Sequence, residues 1–410
     1  MTDAPASAAA PSTTAMTDGP GGPLRGITVL DLASVGPAAR CTRVLADYGA
    51  TVIKVGAVPG GGVEPIRPPF YAYSGSRYLE RTAIDLKDVD GRAAFLALVR
   101  TADVVVESFR PGVIDRLGLG FDQLRAANPG IILCSTTGYG QDGPRSTWAG
   151  HDINYLAVGG YLATTEPRGD GGPPIPGATV ADAAGGGMQA AMAVMAALIG
   201  RGADGPGVHL DVSIAEGVLW LTSLAVDELL ATGAPVGFGH NIITGRYACY
   251  GTYRAGDGGW LAVGAIEPKF FVNLCRLIGC EQWTSHQLDD AVQDKIRSDF
   301  SEAFAAKDRD EWIALLAGAD TCVTPVLSAA ELVDDEQYVA RHAFVDATVQ
   351  PANGAPVRFR QVGPVLAGME RPDGTVALGD PLRSDTDRLL GDAGLSAAHI
   401  TELRARGVVA

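Results

Sequence analysis

Apolar and polar residues follow two rhythms along the first half of the chain. Short continuous apolar runs predict buried strands, and the segments between them carry apolar residues at helical spacing. The predicted strands cover residues 27–32, 51–55, 104–106 and 131–134, and the predicted helices cover 41–48, 93–99 and 121–127. Strands and helices that alternate in this way predict an α/β domain with a parallel sheet flanked by helices, similar to a Rossmann-like fold.

The pattern changes in the second half of the chain. Two long helices are predicted over 188–199 and 213–230. Two strands, 247–253 and 260–263, then flank a glycine-rich turn that is typical of a hairpin. Helices are predicted over 271–278 and 310–316, near Asp387 and after Ser396. The region from 225 to 335 therefore has the pattern of a smaller α+β domain.

Composition excludes several classes of function. The formal net charge of -15 argues against general nucleic-acid binding and against an anionic membrane surface, because both need a basic face. No run of roughly eighteen uncharged apolar residues occurs, so no membrane-spanning helix is predicted. The first 22 residues are rich in Ala, Pro, Ser, Thr and Gly and have no long apolar core. They predict a disordered tail and no secretory signal.

The six cysteines indicate neither a disulfide framework nor a metal site. None forms a Cys-x-x-Cys pair, and Cys275 and Cys280 are spaced unsuitably for zinc. Apolar neighbours predict buried, reduced thiols in a cytoplasmic protein. The Gly-x-Gly-x-x-Gly fingerprint is missing after the first predicted strand, so a nicotinamide site is disfavoured. The cysteines are Cys41, Cys134, Cys249, Cys275, Cys280 and Cys322.

Two stretches carry candidate chemistry. The sequence Gly-His-Asp-Ile-Asn-Tyr at 150–155 places His151 beside Asp152, and about thirty residues later Asp182 begins a run of small residues that predicts a helix. Imidazole and carboxylate are the commonest acid/base groups in enzymes. An Asp before a helix also serves as an N-cap, and a His-Asp pair beside an apolar run also occurs as a satisfied buried pair. The residues alone leave both interpretations open.

Further motifs follow in a fixed order from residue 23 onwards. They are Pro-Leu-Arg-Gly-Ile-Thr-Val-Leu-Asp-Leu at 23–32, Leu-Ala-Asp-Tyr-Gly-Ala-Thr-Val-Ile-Lys-Val at 45–55, Ile-Asp-Leu-Lys at 84–87, Phe-Arg-Pro-Gly-Val at 109–113 and Thr-Gly-Tyr-Gly-Gln-Asp-Gly-Pro at 137–144. Together with the motif at 150–155 they make the chain resemble the family III CoA-transferases and, within them, the α-methylacyl-CoA racemases. The stretch Val-Gly-Ala-Ile-Glu-Pro at 263–268 resembles the part of the racemases that carries a glutamate paired with the histidine.

The resemblance implies a reaction and roles for four residues. His151 and Asp182 are expected to act as acid and base on opposite faces of a 2-methyl-branched acyl-CoA thioester, through an enolate. Glu267 is expected to pair with His151, and Asp152 to support Asp182. Backbone amides after Asp182 are expected to stabilise the enolate oxygen. The alternative within the family is a CoA-transferase in which Asp182 is the nucleophile and forms an acyl anhydride. A non-catalytic acyl-CoA-binding protein is a third hypothesis.

The resemblance also implies how coenzyme A is held, as part of the substrate and with no further cofactor or metal. Arg110 and Arg116 are candidates for the CoA phosphates, and Lys54 is a third, because cationic side chains pair well with phosphate. Ordinary surface ion pairing is the alternative for both arginines. The chain departs from the family pattern at residues 56–58 and 78–81, which puts part of the phosphate contact in question.

The domain organisation expected from the family is a large domain built from both chain ends with a smaller one inserted. On this basis we expect a tail over 1–22, the first part of the large CoA-binding domain over 23–224, the small domain over 225–335 and the return to the large domain over 336–410. An interlocked homodimer is expected, with the active site between the large domain of one subunit and the small domain of the other.

Overall fold

The computed structural model describes residues 21–33, 35–59, 77–350, 355–369, 371, 375–378 and 384–410. The predicted tail lies outside the described residues except for its last two positions. The strands are β1 Thr28–Asp31, β2 Thr51–Gly56, β3 Leu79–Ala83, β4 Val104–Glu107, β5 Ile132–Thr137, β6 His209–Ser213, β7 Tyr250–Arg254, β8 Trp260–Gly264, β9 Val323–Pro325, β10 Phe344–Val349, β11 Val357–Val362 and β12 Thr375–Leu378. The helices are α1 Gly36–Asp47, α2 Val89–Val99, α3 Val113–Arg116, α4 Phe121–Ala127, α5 Asp152–Val158, α6 Tyr161–Thr164, α7 Gln189–Arg201, α8 Ile214–Leu221, α9 Ser223–Thr232, α10 Pro268–Leu277, α11 Gln293–Phe304, α12 Arg309–Leu316, α13 Ala329–Leu332, α14 Glu336–Ala340, α15 Thr386–Asp392 and α16 Ala397–Ala405.

The central sheet confirms the α/β prediction. Its strand order is β3-β2-β1-β4-β5-β6, and the pairs from β3 through β5 are parallel. Alternate side chains of each strand enter two apolar clusters. Leu30 and Val105 pack with α2, α4, α15 and α16, whereas Val29 and Val104 pack with α1 and α7. Because both faces are covered, the inner strands are continuous apolar runs, which is why their pattern is readable in the sequence.

The chain divides into two compact units. Unit 1 comprises Met1–Thr137, Gly187–Val212 and His342–Ala410, and unit 2 comprises Gly138–Gly186 and Ser213–Arg341. These limits differ from the boundaries expected at 224/225 and 335/336. The reason is local packing: Tyr155 and Leu156 of α5 form one apolar cluster with Ile214 and Val218 of α8. The motif at 150–155 and Asp182 therefore belong to unit 2.

Unit 2 contains the predicted hairpin and a compact aromatic core. Strands β7, β8 and β9 form an antiparallel sheet. Its core lies between this sheet and the helices α10, α11 and α12, where Tyr253, Phe271, Phe300, Phe304 and Trp312 are buried together. This arrangement matches the α+β pattern of the sequence in this region.

Several elements differ from the sequence-based prediction. The single helix expected over 213–230 is two helices, α8 and α9, separated at Thr222. The hydroxyl of Thr222 bonds back to the carbonyls of Val218 and Leu219, at 3.2 and 3.1 Å, and such local bonds to the preceding turn bend helices. Strands β3 and β6 lack a continuous apolar run and were not predicted. Neither was the three-stranded sheet with the order β11-β10-β12.

Two expectations from composition need correction. All six cysteines are free thiols, but Cys322 is exposed, whereas the other five are buried as predicted. The helical run Ala181–Arg201 is long and apolar enough to cross a membrane by length and composition, although 33% of it is buried. Such a helix is weak evidence for a membrane, because Ala190, Ala191 and Val194 of α7 are part of the core beside the sheet.

Candidate active site

Asp182 lies in the first turn of a π-helix, Ala181–Met188, that runs directly into α7. π-helical turns are rare and occur frequently at functional sites. Asp182 is half-buried. Its backbone N–H donates to Oδ1 of Asp152 at 2.9 Å. The structure therefore brings these two candidate residues together, and Asp152 provides a negative charge at the N-terminal end of the π-helix.

His151 is the N-cap residue of α5, immediately before Asp152. Its backbone N–H donates to Oδ1 of Asn154 at 3.0 Å, and its carbonyl accepts from the N–H of Asn154 at 2.8 Å. The imidazole is exposed. The motif at 150–155 thus places the imidazole at the surface and directs the next carboxylate to the start of the π-helix.

An aromatic cluster that includes Tyr139 and Tyr155 packs against Gly150, the residue before His151. Tyr155 donates its hydroxyl to the carbonyl of Gly150 at 2.6 Å and meets Tyr139 edge to face, with ring centroids 5.3 Å apart. A Cβ atom at Gly138 or Gly150 would lie 2.4 or 2.7 Å from the Tyr155 ring. Only glycine fits at these two positions, because real Cβ atoms do not approach so closely.

Burial raises the pKa of Tyr155 to about 12, and the charges of Tyr139 and Asp182 add to this effect. Tyr155 therefore stays a neutral phenol near physiological pH and serves as a rigid support.

Glu267 is the N-cap residue of α10 and is exposed. In the part of the chain that the structure describes, no hydrogen bond or ion pair joins Glu267 to His151. The Glu267 charge instead acts on the nearby Cys322 thiol, whose pKa is raised first by burial and then by Glu267. The pairing of Glu267 with His151 that the family resemblance implies is therefore not formed within one chain.

The backbone amides expected to stabilise an enolate are partly occupied. The N–H of Asp182 is used by Asp152. The N–H of Ala183 donates to the carbonyl of Thr179 at 3.0 Å. An enolate oxygen would have to displace these bonds or use other donors.

The three candidate CoA contacts lie in unit 1 and differ in availability. Lys54 forms an ion pair with the fully buried Asp31, with 2.8 Å between Nζ and Oδ2, and also donates to the carbonyl of Ala33. Asp31 accepts further hydrogen bonds from the Thr42 hydroxyl at 2.6 Å and the Ala33 N–H at 2.8 Å. The Lys54 ammonium is therefore already engaged within the protein, where it links β2 to the end of β1.

Arg110 and Arg116 are exposed and follow β4. Neither arginine forms an ion pair with any residue that the structure describes. Gly112 lies between them with a φ of +76° and is the N-cap residue of α3, so the chain turns sharply at this point. Both guanidinium groups are available for an anionic ligand, and the surface ion pairs considered as the alternative are not seen here.

Glu107 is a polar residue that sequence reasoning missed. It ends β4, is 1% exposed and accepts the N–H of Phe109 at 2.6 Å. Burial raises its pKa to about 7. The signal in the sequence was a carboxylate directly after three valines, at the end of a predicted buried strand.

Among the described residues, no group of three or more His, Cys, Asp or Glu side chains is placed to hold a metal ion. The candidate groups of unit 2 are the His151 imidazole and the carboxylates of Asp152 and Asp182, and those of unit 1 are the exposed guanidinium groups of Arg110 and Arg116.

Comparison with known proteins shows the family of the chain. The family model described as CoA-transferase family III matches residues 24–381. Alpha-methylacyl-CoA racemase from Homo sapiens is 33% identical over 392 residues, which cover 94% of this chain and 97% of the relative. Acetyl-CoA:oxalate CoA-transferase from Acetobacter aceti is 31% identical over 355 residues, covering 83% and 90% of the two chains. The crystal structure of a CAIB/BAIF family protein from Brucella suis is similar with a TM-score of 0.70 at 26% identity, covering 94% of this chain and 100% of that one. The chain belongs to CoA-transferase family III.

Proposed function

We propose that the protein is a racemase or epimerase of 2-methyl-branched acyl-CoA thioesters. The observation that carries this proposal is the hydrogen bond from the Asp182 N–H to Asp152. It ties the start of the π-helix to the residue directly after His151. A carboxylate and an imidazole, two bases of different kinds, thereby belong to one locally connected structure in unit 2.

The reaction needs one base on each face of the α-carbon. The first base removes the α-proton, and the electron pair of the C–H bond moves to the thioester carbonyl oxygen to give an enolate. The conjugate acid on the other face then donates its proton to the same carbon, which inverts the centre. In this proposal Asp182 and His151 exchange these two tasks according to which enantiomer is bound.

Coenzyme A is bound through Arg110 and Arg116, whose guanidinium groups suit phosphate oxygens. Lys54 is a weaker candidate, because its ammonium is engaged by Asp31. The free thiols of all six cysteines support a cytoplasmic location. We further propose a homodimer in which Glu267 of a second copy orients His151.

A CoA-transferase is the second candidate. The half-buried Asp182 carboxylate at the start of a helix is also suited to attack an acyl-CoA thioester. It would form an acyl anhydride and release the CoA thiolate, which then attacks the Asp182 carbonyl, expels the donor carboxylate and leaves an aspartyl-CoA thioester. The acceptor carboxylate attacks this thioester to give a second anhydride and CoA thiolate, and the thiolate attacks the acceptor's acyl carbon, which yields the new acyl-CoA and frees Asp182 in a ping-pong sequence. The similarity to a relative named as a CoA-transferase favours keeping this alternative.

The decisive experiment is α-proton exchange. The protein is incubated in D2O with one enantiomer of a 2-methylacyl-CoA and no free acid, and deuterium uptake and enantiomer ratio are followed together. Uptake with inversion supports the racemase. No uptake, followed by CoA transfer once a carboxylic acid is added, contradicts it and supports the transferase.

The shared site is tested by complementation. His151→Ala and Glu267→Ala are each expected to be inactive, whereas their co-expression yields mixed dimers. If Glu267 acts on the partner's histidine, one of the two sites in a mixed dimer keeps both residues and activity returns. If both residues act within one chain, every site lacks one of them and the mixture stays inactive.

A further inference from the structure

Glu107, the buried last residue of β4, is connected through the buried Ser135 of β5 to His209, the exposed first residue of β6. Its Oε2 accepts the N–H of Phe109 at 2.6 Å, and the Ser135 side chain also hydrogen-bonds to its carboxyl. On the other side, Ser135 Oγ lies 2.9 Å from Nε2 of His209. The His209 ring in turn stacks on Phe121. The carboxyl is thus bonded on two sides and enclosed.

In the part of the chain that the structure describes, no cation neutralises this carboxyl. Among the described residues Glu107 forms no ion pair, and its charged neighbours are themselves acidic. Burial, followed by the charges of Asp115 and Asp211, raises its pKa to about 7, against the hydrogen bonds from Ser135 and Phe109. The pKa of His209 is lowered by burial, so this imidazole adds no positive charge at neutral pH.

The carboxyl is directly connected to the turn that carries the exposed arginines. The Phe109 N–H that it accepts belongs to the residue immediately before Arg110. The Arg110 carbonyl then accepts the N–H of Val113, which begins α3, and Arg116 ends that helix. The hydrogen bond to Phe109 therefore links the Glu107 carboxyl to this turn.

We propose that Glu107 is a positioning residue for the CoA phosphates and that it takes up a proton from solvent when they bind. This inference rests on the proposed role of Arg110 and Arg116. A phosphate beside the turn disfavours a buried negative charge, so phosphate binding and protonation favour each other. The protonated carboxyl still accepts from Phe109 through one oxygen, and its O–H donates to Ser135. The hydrogen bond to the turn is therefore kept, while the repulsion between the Glu107 carboxylate and the phosphate is removed.

The test is calorimetric titration with CoA near neutral pH, in two buffers of different ionisation enthalpy. The difference between the buffers measures the protons taken up per CoA bound. We expect uptake by the wild type and less uptake by Glu107→Gln, because glutamine is neutral and keeps both hydrogen bonds. Glu166→Gln, a change at an exposed carboxylate, should behave as the wild type. Titration of the CoA phosphate itself contributes equally to all three proteins.

The pH dependence of the affinity for CoA is a second test. Between about pH 6 and pH 8 the wild type should lose roughly fivefold more affinity for CoA than Glu107→Gln. Equal proton uptake and equal loss of affinity in the two proteins would overturn the inference. Loss of the uptake in His209→Gln while Glu107→Gln retains it would overturn it as well, since the proton would then reside on the histidine. Full CoA affinity in Arg110→Gln would instead refute the proposed CoA contact on which the inference rests.

Discussion

Ionisable side chains are buried at one set of positions in unit 1 and accessible at another set in unit 2. In unit 1 they lie at the carboxyl ends of β1 and β4, and in unit 2 they lie at the starts of helices. In unit 1, Asp31 and Glu107 are buried at 0% and 1% exposure. In unit 2, His151 is exposed and Asp182 is half-buried. Buried ionisable groups affect folding stability strongly, whereas exposed ones can reach a substrate. We therefore expect substitution of His151 or Asp182 to change mainly activity, and loss of the charge partner of Asp31 to change mainly stability.

Within unit 1 the two buried carboxylates differ from each other. Asp31 is paired with Lys54 and accepts two further hydrogen bonds. Glu107 has hydrogen bonds but no cation among the described residues. The two strands are neighbours, with Asp31 in register with Val106. Whether a buried carboxylate is a fixed structural charge or a proton-binding group depends on the cation that the next strand supplies.

The largest expected effect is on activity in unit 2. Asp182→Asn and His151→Ala should each lower the rate of α-proton exchange by roughly 10²- to 10⁴-fold, because each removes one acid/base group. Urea unfolding should change little, since neither side chain is fully buried. Asp142→Asn, at an exposed carboxylate close in sequence, is the control. Unchanged exchange in either variant would refute the role assigned to that residue.

The next effect is on stability in unit 1. Lys54→Met leaves Asp31 buried without its cation and should lower the free energy of unfolding by roughly 3–5 kcal/mol. Lys87→Met, at an exposed lysine, should be nearly neutral. Urea denaturation of both variants measures the difference. A loss below about 1 kcal/mol in Lys54→Met would mean that the pair is dispensable.

Glu107→Gln should stabilise the protein, with a pH dependence of defined sign. In the folded state the pKa of Glu107 is raised to about 7. Below the ordinary pKa of a glutamate, the carboxyl is protonated in both the folded and the unfolded state, so its ionisation costs no stability. Between the ordinary pKa and about 7, Glu107 keeps its proton in the folded state and loses it in the unfolded state. Above about 7 it is ionised in the folded state as well, where burial makes the charge unfavourable. Wild-type stability therefore falls as pH rises through this window. The glutamine variant avoids this loss and should be more stable above neutral pH, by at most about 3 kcal/mol.

The comparison of Glu107→Gln with the wild type is made by urea unfolding in acid and in mild alkali. The gain should shrink towards zero in acid, where the wild-type carboxyl is also neutral. A gain that is the same at both pH values would show that packing, and not ionisation, is responsible.

The smallest effect is expected at Tyr155. Tyr155→Phe removes the hydroxyl that donates to the Gly150 carbonyl and should lower the free energy of unfolding by about 1 kcal/mol. Tyr250→Phe, at a tyrosine exposed by 36%, serves as the control. A large loss of exchange activity with little loss of stability would instead give the phenol a direct part in the reaction.

The elements that the sequence predicted well share one physical property. The inner strands β1, β2, β4 and β5 are covered on both faces, so they require continuous apolar runs. Strand β3, with the sequence Leu-Glu-Arg-Thr-Ala, lies at the edge of the sheet and has no such requirement. The limits of the two units could not be predicted from the sequence for a different reason. Helices α5 and α8 belong to one unit because they pack together, although about sixty residues of chain separate them.

By itself, the amino-acid sequence determined the parallel α/β architecture, the hairpin of unit 2, the family and the candidate residues His151, Asp152 and Asp182, because periodicity and motif are properties of the chain order. Only the tertiary structure decided which charges are paired. It joined Asp152 to the amide of Asp182 and engaged Lys54 with Asp31, and it enclosed Glu107 without a cation from any described residue. Desolvation and Coulomb interactions depend on neighbours brought together by folding, and no local pattern in the sequence records them.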